Sequence, residues 1–132
     1  MLKKISYLIL LLIFCLFIMG HASARAESGN IGYASYYSYE CANRPMANGK
    51  IFDPEKRTCA SWFYKFGTVL TVKSLDTGRA TEVVVTDRGP NKRLVNKGRI
   101  IDLSKRAFQD ISPLEKGLTR VIVQVKSEIK SS

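Results

Sequence analysis

The sequence predicts a mainly β protein: a small closed barrel with one or two short helices, preceded by an apolar N-terminal helix that reads as an export signal. Three observations carry this prediction. Short runs of alternating apolar and polar residues recur between clusters of turn formers. Only one segment carries a clear helix start. The 132-residue chain is also too short, once its leader is set aside, to build more than one core.

The leader comes first. Lys3 and Lys4 precede an almost wholly apolar run over residues 5–19, and Gly20-His21-Ala22-Ser23-Ala24-Arg25-Ala26 follows. That order of charged, apolar and small-residue regions is the pattern of a secretory signal. Cleavage after Ala24 or after Ala26 fits. The apolar run is about 15 residues, short of the roughly 20 that a spanning helix needs. Phe14 precedes Cys15 and apolar residues follow it, so no lipid anchor is expected. The domain plan is a signal peptide over 1–26, a lead-in over 27–30, a barrel domain over 31–126 and a polar tail over 127–132.

Within the barrel domain, residues 31–38 read as a strand rich in tyrosine. Residues 39–67 carry Asn43, Pro45, Asn48-Gly49, Asp53-Pro54 and Gly67, and read as a long loop of functional character. Residues 68–74 and 80–86 alternate around the turn Asp76-Thr77-Gly78, which predicts a hairpin. Asp87-Arg88-Gly89-Pro90 ends it, and 91–98 reads as a basic loop. Residues 99–103 are a short strand, and Ser104 caps a helix from Lys105 to about Asp110. Residues 119–125 alternate with Val121, Val123 and Val125 on one face. Many short strands with one short helix argue for closure into a barrel.

Charge and cysteines bound the chemistry. The whole chain carries +10. Without residues 1–26, 18 basic and 11 acidic residues leave +7. A positive surface outside the cytoplasm suits an anionic polymer or membrane face; export and the lack of an arginine-rich tract argue against nucleic acid. Cys41 and Cys59 remain after the leader, an even pair in an oxidising compartment, and are expected to form a disulfide. The one histidine, His21, lies in the leader. That excludes serine–histidine and cysteine–histidine catalysis and histidine metal ligation; no cofactor and no metal are expected.

Any general acid or base is therefore a carboxylate in the first instance. Glu40, Asp53, Glu55, Asp87 and Asp102 lie in or beside irregular segments. Asp87 stands out because it ends an apolar strand just before Gly89-Pro90. Two readings of it stand: a turn aspartate paired with Arg88, or a partly desolvated working acid. Tyr33, Tyr36, Tyr37 and Tyr39, with Trp62, Phe63 and Tyr64, supply aromatic faces either for a small core or for stacking on sugar rings.

In order, the chain carries Gly32-Tyr33-Ala34-Ser35-Tyr36-Tyr37, Met46-Ala47-Asn48-Gly49, Phe66-Gly67-Thr68, Asp87-Arg88-Gly89-Pro90 and Arg99-Ile100-Ile101-Asp102-Leu103-Ser104. Together these motifs resemble the rare lipoprotein A family of bacterial cell-wall proteins, over about residues 31–125. The resemblance implies a six-stranded double-psi β-barrel in a monomeric, periplasmic or secreted protein acting on peptidoglycan glycan strands, as lytic transglycosylases do. It implies Asp87 as the catalytic acid, Asp53 as a second acidic residue, and Tyr36, Tyr37, Ser61, Trp62, Arg88 and Asp102 as substrate contacts. Two positions depart from the family pattern. Lys50 stands where an acid usually follows Ala-Asn-Gly, and Ser61 stands where a histidine is usual. The basic run Lys92-Arg93 with Lys97 and Arg99 reads as a solvated loop or as a rim for an anionic strand. Three functions follow as expectations: a glycan-cleaving enzyme, a non-catalytic wall-binding module, or an effector that uses the barrel as a scaffold.

Overall fold

The structure is a computed structural model that describes residues 1–19 and 28–129. Helix α1 spans Leu2–Met19. The expected cleavage sites after Ala24 and Ala26 lie outside the described residues. Among the described residues, no helix is long and apolar enough to cross a membrane.

Six strands follow: β1 (Asn30–Tyr36), β2 (Thr58–Ala60), β3 (Val69–Ser74), β4 (Ala80–Asp87), β5 (Arg99–Leu103) and β6 (Thr119–Ser127). Helix α2 (Lys92–Val95) and helix α3 (Lys105–Ile111) flank β5. The strands close into a barrel in the order β1-β5-β2-β4-β3-β6, with β6 returning to β1. Two pairs are parallel, β1 with β5 and β2 with β4, and each carries a register shift. The remaining pairs are antiparallel. This is the closed six-stranded double-psi barrel.

Alternation drives closure. In β3 the side chains of Leu70, Val72 and Ser74 are buried while their neighbours are not, and in β4 Thr81, Val83 and Val85 continue the pattern until Thr86, which is also buried. Leu70 pairs with Val83 and Val72 with Thr81, so one face of the hairpin fills the barrel. Its turn needs the left-handed backbone of Gly78 (φ 75°). The hydroxyl of Ser74 accepts from the amides of Asp76 and Thr77 and holds that turn.

Val121 and Val123 of β6 complete the interior, but Val125, although paired with Leu70 of β3, is exposed. Helix α3 starts where expected: Ser104 Oγ accepts from Ala107 N at 3.2 Å. It buries Ala107, Phe108 and Ile111 against the sheet.

The expected Cys41–Cys59 disulfide is not formed; both thiols are free. Cys59 faces inward from β2 as part of the hydrophobic core, whereas Cys41 sits, part-exposed, in a one-turn helix (Tyr39–Cys41) after β1. The two sulfurs therefore serve different environments. Burial pushes the Cys59 thiol far above its ordinary proton affinity, with the charge of Asp102 adding to it.

Candidate active site

Strand pairing assembles the site. β2 and β4 place Ala60 opposite Asp87, β2 and β5 place Ala60 opposite Asp102, and β1 and β5 place Ser35 opposite Asp102. The ends of four strands thus bring Ser35, Ala60, Asp87 and Asp102 to one rim. Just past β1, Tyr37 is anchored by its amide on the Leu103 carbonyl at 3.0 Å. Its ring packs against Phe52, with centroids 5.0 Å apart.

Asp87 is held by three donors. Its Oδ1 accepts from Ala47 N (2.9 Å) and Arg88 N (2.8 Å), and its Oδ2 accepts from the Tyr37 hydroxyl (3.1 Å). Ala47 reaches the carboxylate because the 46–49 turn folds over the end of β4, where Asn48 N donates to the Thr86 carbonyl. The Arg88 guanidinium goes elsewhere. It donates to the carbonyls of Ser61 (2.7 Å) and Tyr64 (2.8 Å) and lies 3.9 Å from the centre of the Phe66 ring. The side-chain pair of Asp87 with Arg88 is therefore not formed, and the two residues meet only through the Arg88 amide.

Asp102 is governed by burial, which raises its proton affinity above the usual carboxylate range. A hydrogen bond donated by Ser35 Oγ and the charge of Arg99 oppose this, while the charge of Asp87 adds to it. Burial, and then the charges of Asp87 and Asp102, push the Tyr37 hydroxyl far above its ordinary range. It serves as a donor that does not ionise. Gly89 leaves room between the parts. A Cβ there would stand 3.2 Å from Ala60 Cβ, 3.4 Å from Asp102 Oδ2 and 3.9 Å from Tyr37 Oη.

The other candidates divide. Trp62 is half-exposed on the rim, with its indole N–H donating to the Pro90 carbonyl at 2.6 Å and Lys92 Nζ 5.4 Å from its ring centre. Ser61 is fully buried; its amide donates to the Asp87 carbonyl and its hydroxyl accepts from Phe63 N. Tyr36 points away from Asp87: its hydroxyl donates to the Leu114 carbonyl and its ring packs on Phe108. Asp53 spends Oδ1 on the amide of Glu55, a local turn contact. The Ala47 amide is the contributor that no side-chain pattern announces, although the Met46-Ala47-Asn48-Gly49 motif marks its loop. Among the described residues, no group of three or more histidine, cysteine or acidic side chains is disposed to hold a metal.

A family model described as lytic transglycolase matches residues 30–123, which takes in nearly all of the six strands and every residue of this rim. The chain belongs to this family. The matching relatives agree. The probable endolytic peptidoglycan transglycosylase RlpA of Treponema pallidum (strain Nichols) is 40% identical over 92 residues, 70% of this chain and 28% of that protein. The endolytic peptidoglycan transglycosylase RlpA of Vibrio cholerae is 34% identical over 94 residues, 71% of this chain and 34% of that protein. The chain thus spans about a third of the length of these curated relatives. Two solved structures share the fold at low identity. A point mutant of a Clavibacter michiganensis expansin, in complex with cellohexaose, has a TM-score of 0.58 at 18% identity, covering 80% of this chain and 54% of that one. The Streptomyces papain inhibitor has a TM-score of 0.56 at 22% identity, covering 74% and 94%.

Proposed function

We propose that this family member is an exported, monomeric lytic transglycosylase that cleaves peptidoglycan glycan strands with Asp87 as acid and then base. The observation that carries the reading is the asymmetric holding of Asp87. Its Oδ1 is occupied by two amide donors, which leave no position for a proton. Its Oδ2 meets only a hydroxyl, which can turn from donor to acceptor. Oδ2 is thus the oxygen able to carry the catalytic proton. In the first step that proton passes to the glycosidic oxygen as the C1–O bond breaks. In the second, Oδ2 takes the proton of the sugar's own C6 hydroxyl as O6 bonds to C1, closing a 1,6-anhydro ring. Asp87 ends protonated, as it began, and no water is consumed.

The half-exposed Trp62 offers a stacking face for a sugar ring beside this centre. Tyr37 orients Asp87 through its hydrogen bond to Oδ2, Asp102 stands beside them on the rim, and Arg88 fixes the 61–66 loop that carries Trp62. In this reading Asp53 is the second acid, and Tyr36 and Ser61 complete the wall of the substrate groove from behind.

A second reading, a non-catalytic glycan-binding module, draws on Lys50 and on Ser61. Serine cannot shuttle a proton near neutral pH, and this one is buried. Incubation with purified peptide-free glycan strands separates the two. Anhydro-ended products detected by mass spectrometry, and their loss in Asp87→Asn, support the enzyme. Wild-type protein that pellets with the strands yet releases nothing establishes the binding module instead.

A further inference from the structure

A cleft of about 640 Å³ opens among Ser35, Tyr36, Ser38, Tyr39, Arg99 and Lys105. That volume lies within the roughly 300–1,000 Å³ typical of ligand sites. Its charged lining is wholly cationic. Among the described residues, neither Arg99 nor Lys105 has a carboxylate within ion-pair distance, whereas Arg57, Arg106 and Lys126 each have one. Lys105 Nζ instead rests 5.0 Å from the centre of the exposed Tyr39 ring. The Ser38 hydroxyl accepts from Glu40 N, which leaves its own proton to donate. Ser35 belongs to both places: it lines the cleft and donates to Asp102 on the catalytic rim.

We infer that this cleft is an anion subsite, in which Arg99 and Lys105 receive the carboxylate of an acidic sugar ring that packs against Tyr39. The inference rests on the glycan reading above and adds to it which ring is selected and by which residues. A guanidinium and an ammonium with unoccupied donors match a carboxylate, and a tyrosine face beside them suits the apolar side of a pyranose. A neutral ring would find the same wall but bring neither cation a carboxylate. The shared Ser35 joins the cleft to Asp102, which stands on the same rim as Asp87, so a strand seated at that rim is placed to extend into it.

The test is direct binding followed by amide chemical shifts of the full chain, with three monosaccharides: N-acetylmuramic acid, its methyl ester and N-acetylglucosamine. The free acid should perturb residues 35–39 and 99–105 and bind about tenfold more tightly than the ester or the neutral sugar, the loss of one charge-assisted hydrogen bond. Lys105→Gln and Arg99→Gln should each bring the acid down to the level of the ester and leave the neutral sugar unchanged. Equal binding of acid and ester to wild type, or an unaltered Lys105→Gln variant, overturns the subsite. Because monosaccharide binding needs no cleavage, the subsite is judged even if the strand assay finds no anhydro product, and an active enzyme with indifferent variants would fail the subsite alone.

Discussion

Asp87 and Asp102 stand on one rim in different settings, the first held by three hydrogen-bond donors and the second largely buried. The raised proton affinity of Asp102 has a consequence for stability. Between the ordinary carboxylate value of 3.8 and its higher folded value, the folded state binds more protons than the unfolded state, so this group's contribution turns unfavourable as pH rises through that window. Asp102→Asn keeps an acceptor for Ser35 and removes the charge. Its stability relative to wild type should rise from pH 4 to pH 7 in denaturant titrations; a difference that is flat with pH would count against buried ionisation. The cysteines give a second residue-scale expectation. Native protein should be alkylated at Cys41 and spared at Cys59, and both should react once it is unfolded, as read by mass spectrometry. Modification of Cys59 in the native state would contradict its burial. Asp87 was legible in the sequence because a carboxylate at a strand end before Gly-Pro is conspicuous. Its partner Ala47 was not, because a backbone amide has no side-chain signature.

Elements were legible where local pattern alone decides them. The β3–β4 hairpin has clean alternation and a glycine turn, and α3 has Ser104 as its cap. Strand β2 was hidden in the expected long loop, because three residues are too few to show a period. Helix α2 was hidden in the basic loop, although Asn91 caps it by accepting from Arg93 N. Long-range ties also escape local pattern. Asp110 of α3 accepts from Arg57 Nε (2.6 Å) and from Thr81 Oγ1 of β4 (2.8 Å), which joins the helix, the loop before β2 and the hairpin. The Arg57 hydrogen bond, then Thr81 and the nearby arginine charges, hold the Asp110 carboxyl below the usual range despite some burial. A lowered folded value means stabilisation that is present above the ordinary carboxylate range and lost as pH falls through the folded value. Asp110→Asn should therefore lower the unfolding midpoint at pH 7, modestly because Arg57 is exposed, and match wild type near pH 2. An equal deficit at both pH values would assign the effect to packing.

At the scale of the molecule, the site exists only because the barrel closes. Ser35, Ala60, Asp87 and Asp102 come from β1, β2, β4 and β5, and the two parallel pairs that join them link segments far apart in sequence. Alternation shows which face of each strand is buried, but it carries no information about which distant strand lies alongside. That is why the hairpin could be read from the residues, while the barrel type came through family resemblance and the parallel pairs were not read at all. Closure also predicts that site and fold fail together. Leu70 is fully buried in β3, and truncating such a leucine costs about 2–5 kcal/mol. Domains of this size have only about 5–15 kcal/mol in total, so Leu70→Ala should lower Tm by about 10 °C or more. Leu70 belongs to the core, away from the catalytic rim, yet turnover and the near-ultraviolet signal of the packed aromatics should vanish at the same reduced temperature, in one transition. Asp87→Asn should do the reverse, keeping Tm close to wild type while turnover is lost at every temperature. A Leu70→Ala protein whose activity disappears well before its tertiary signal would show that the rim is held by its loops rather than by the barrel.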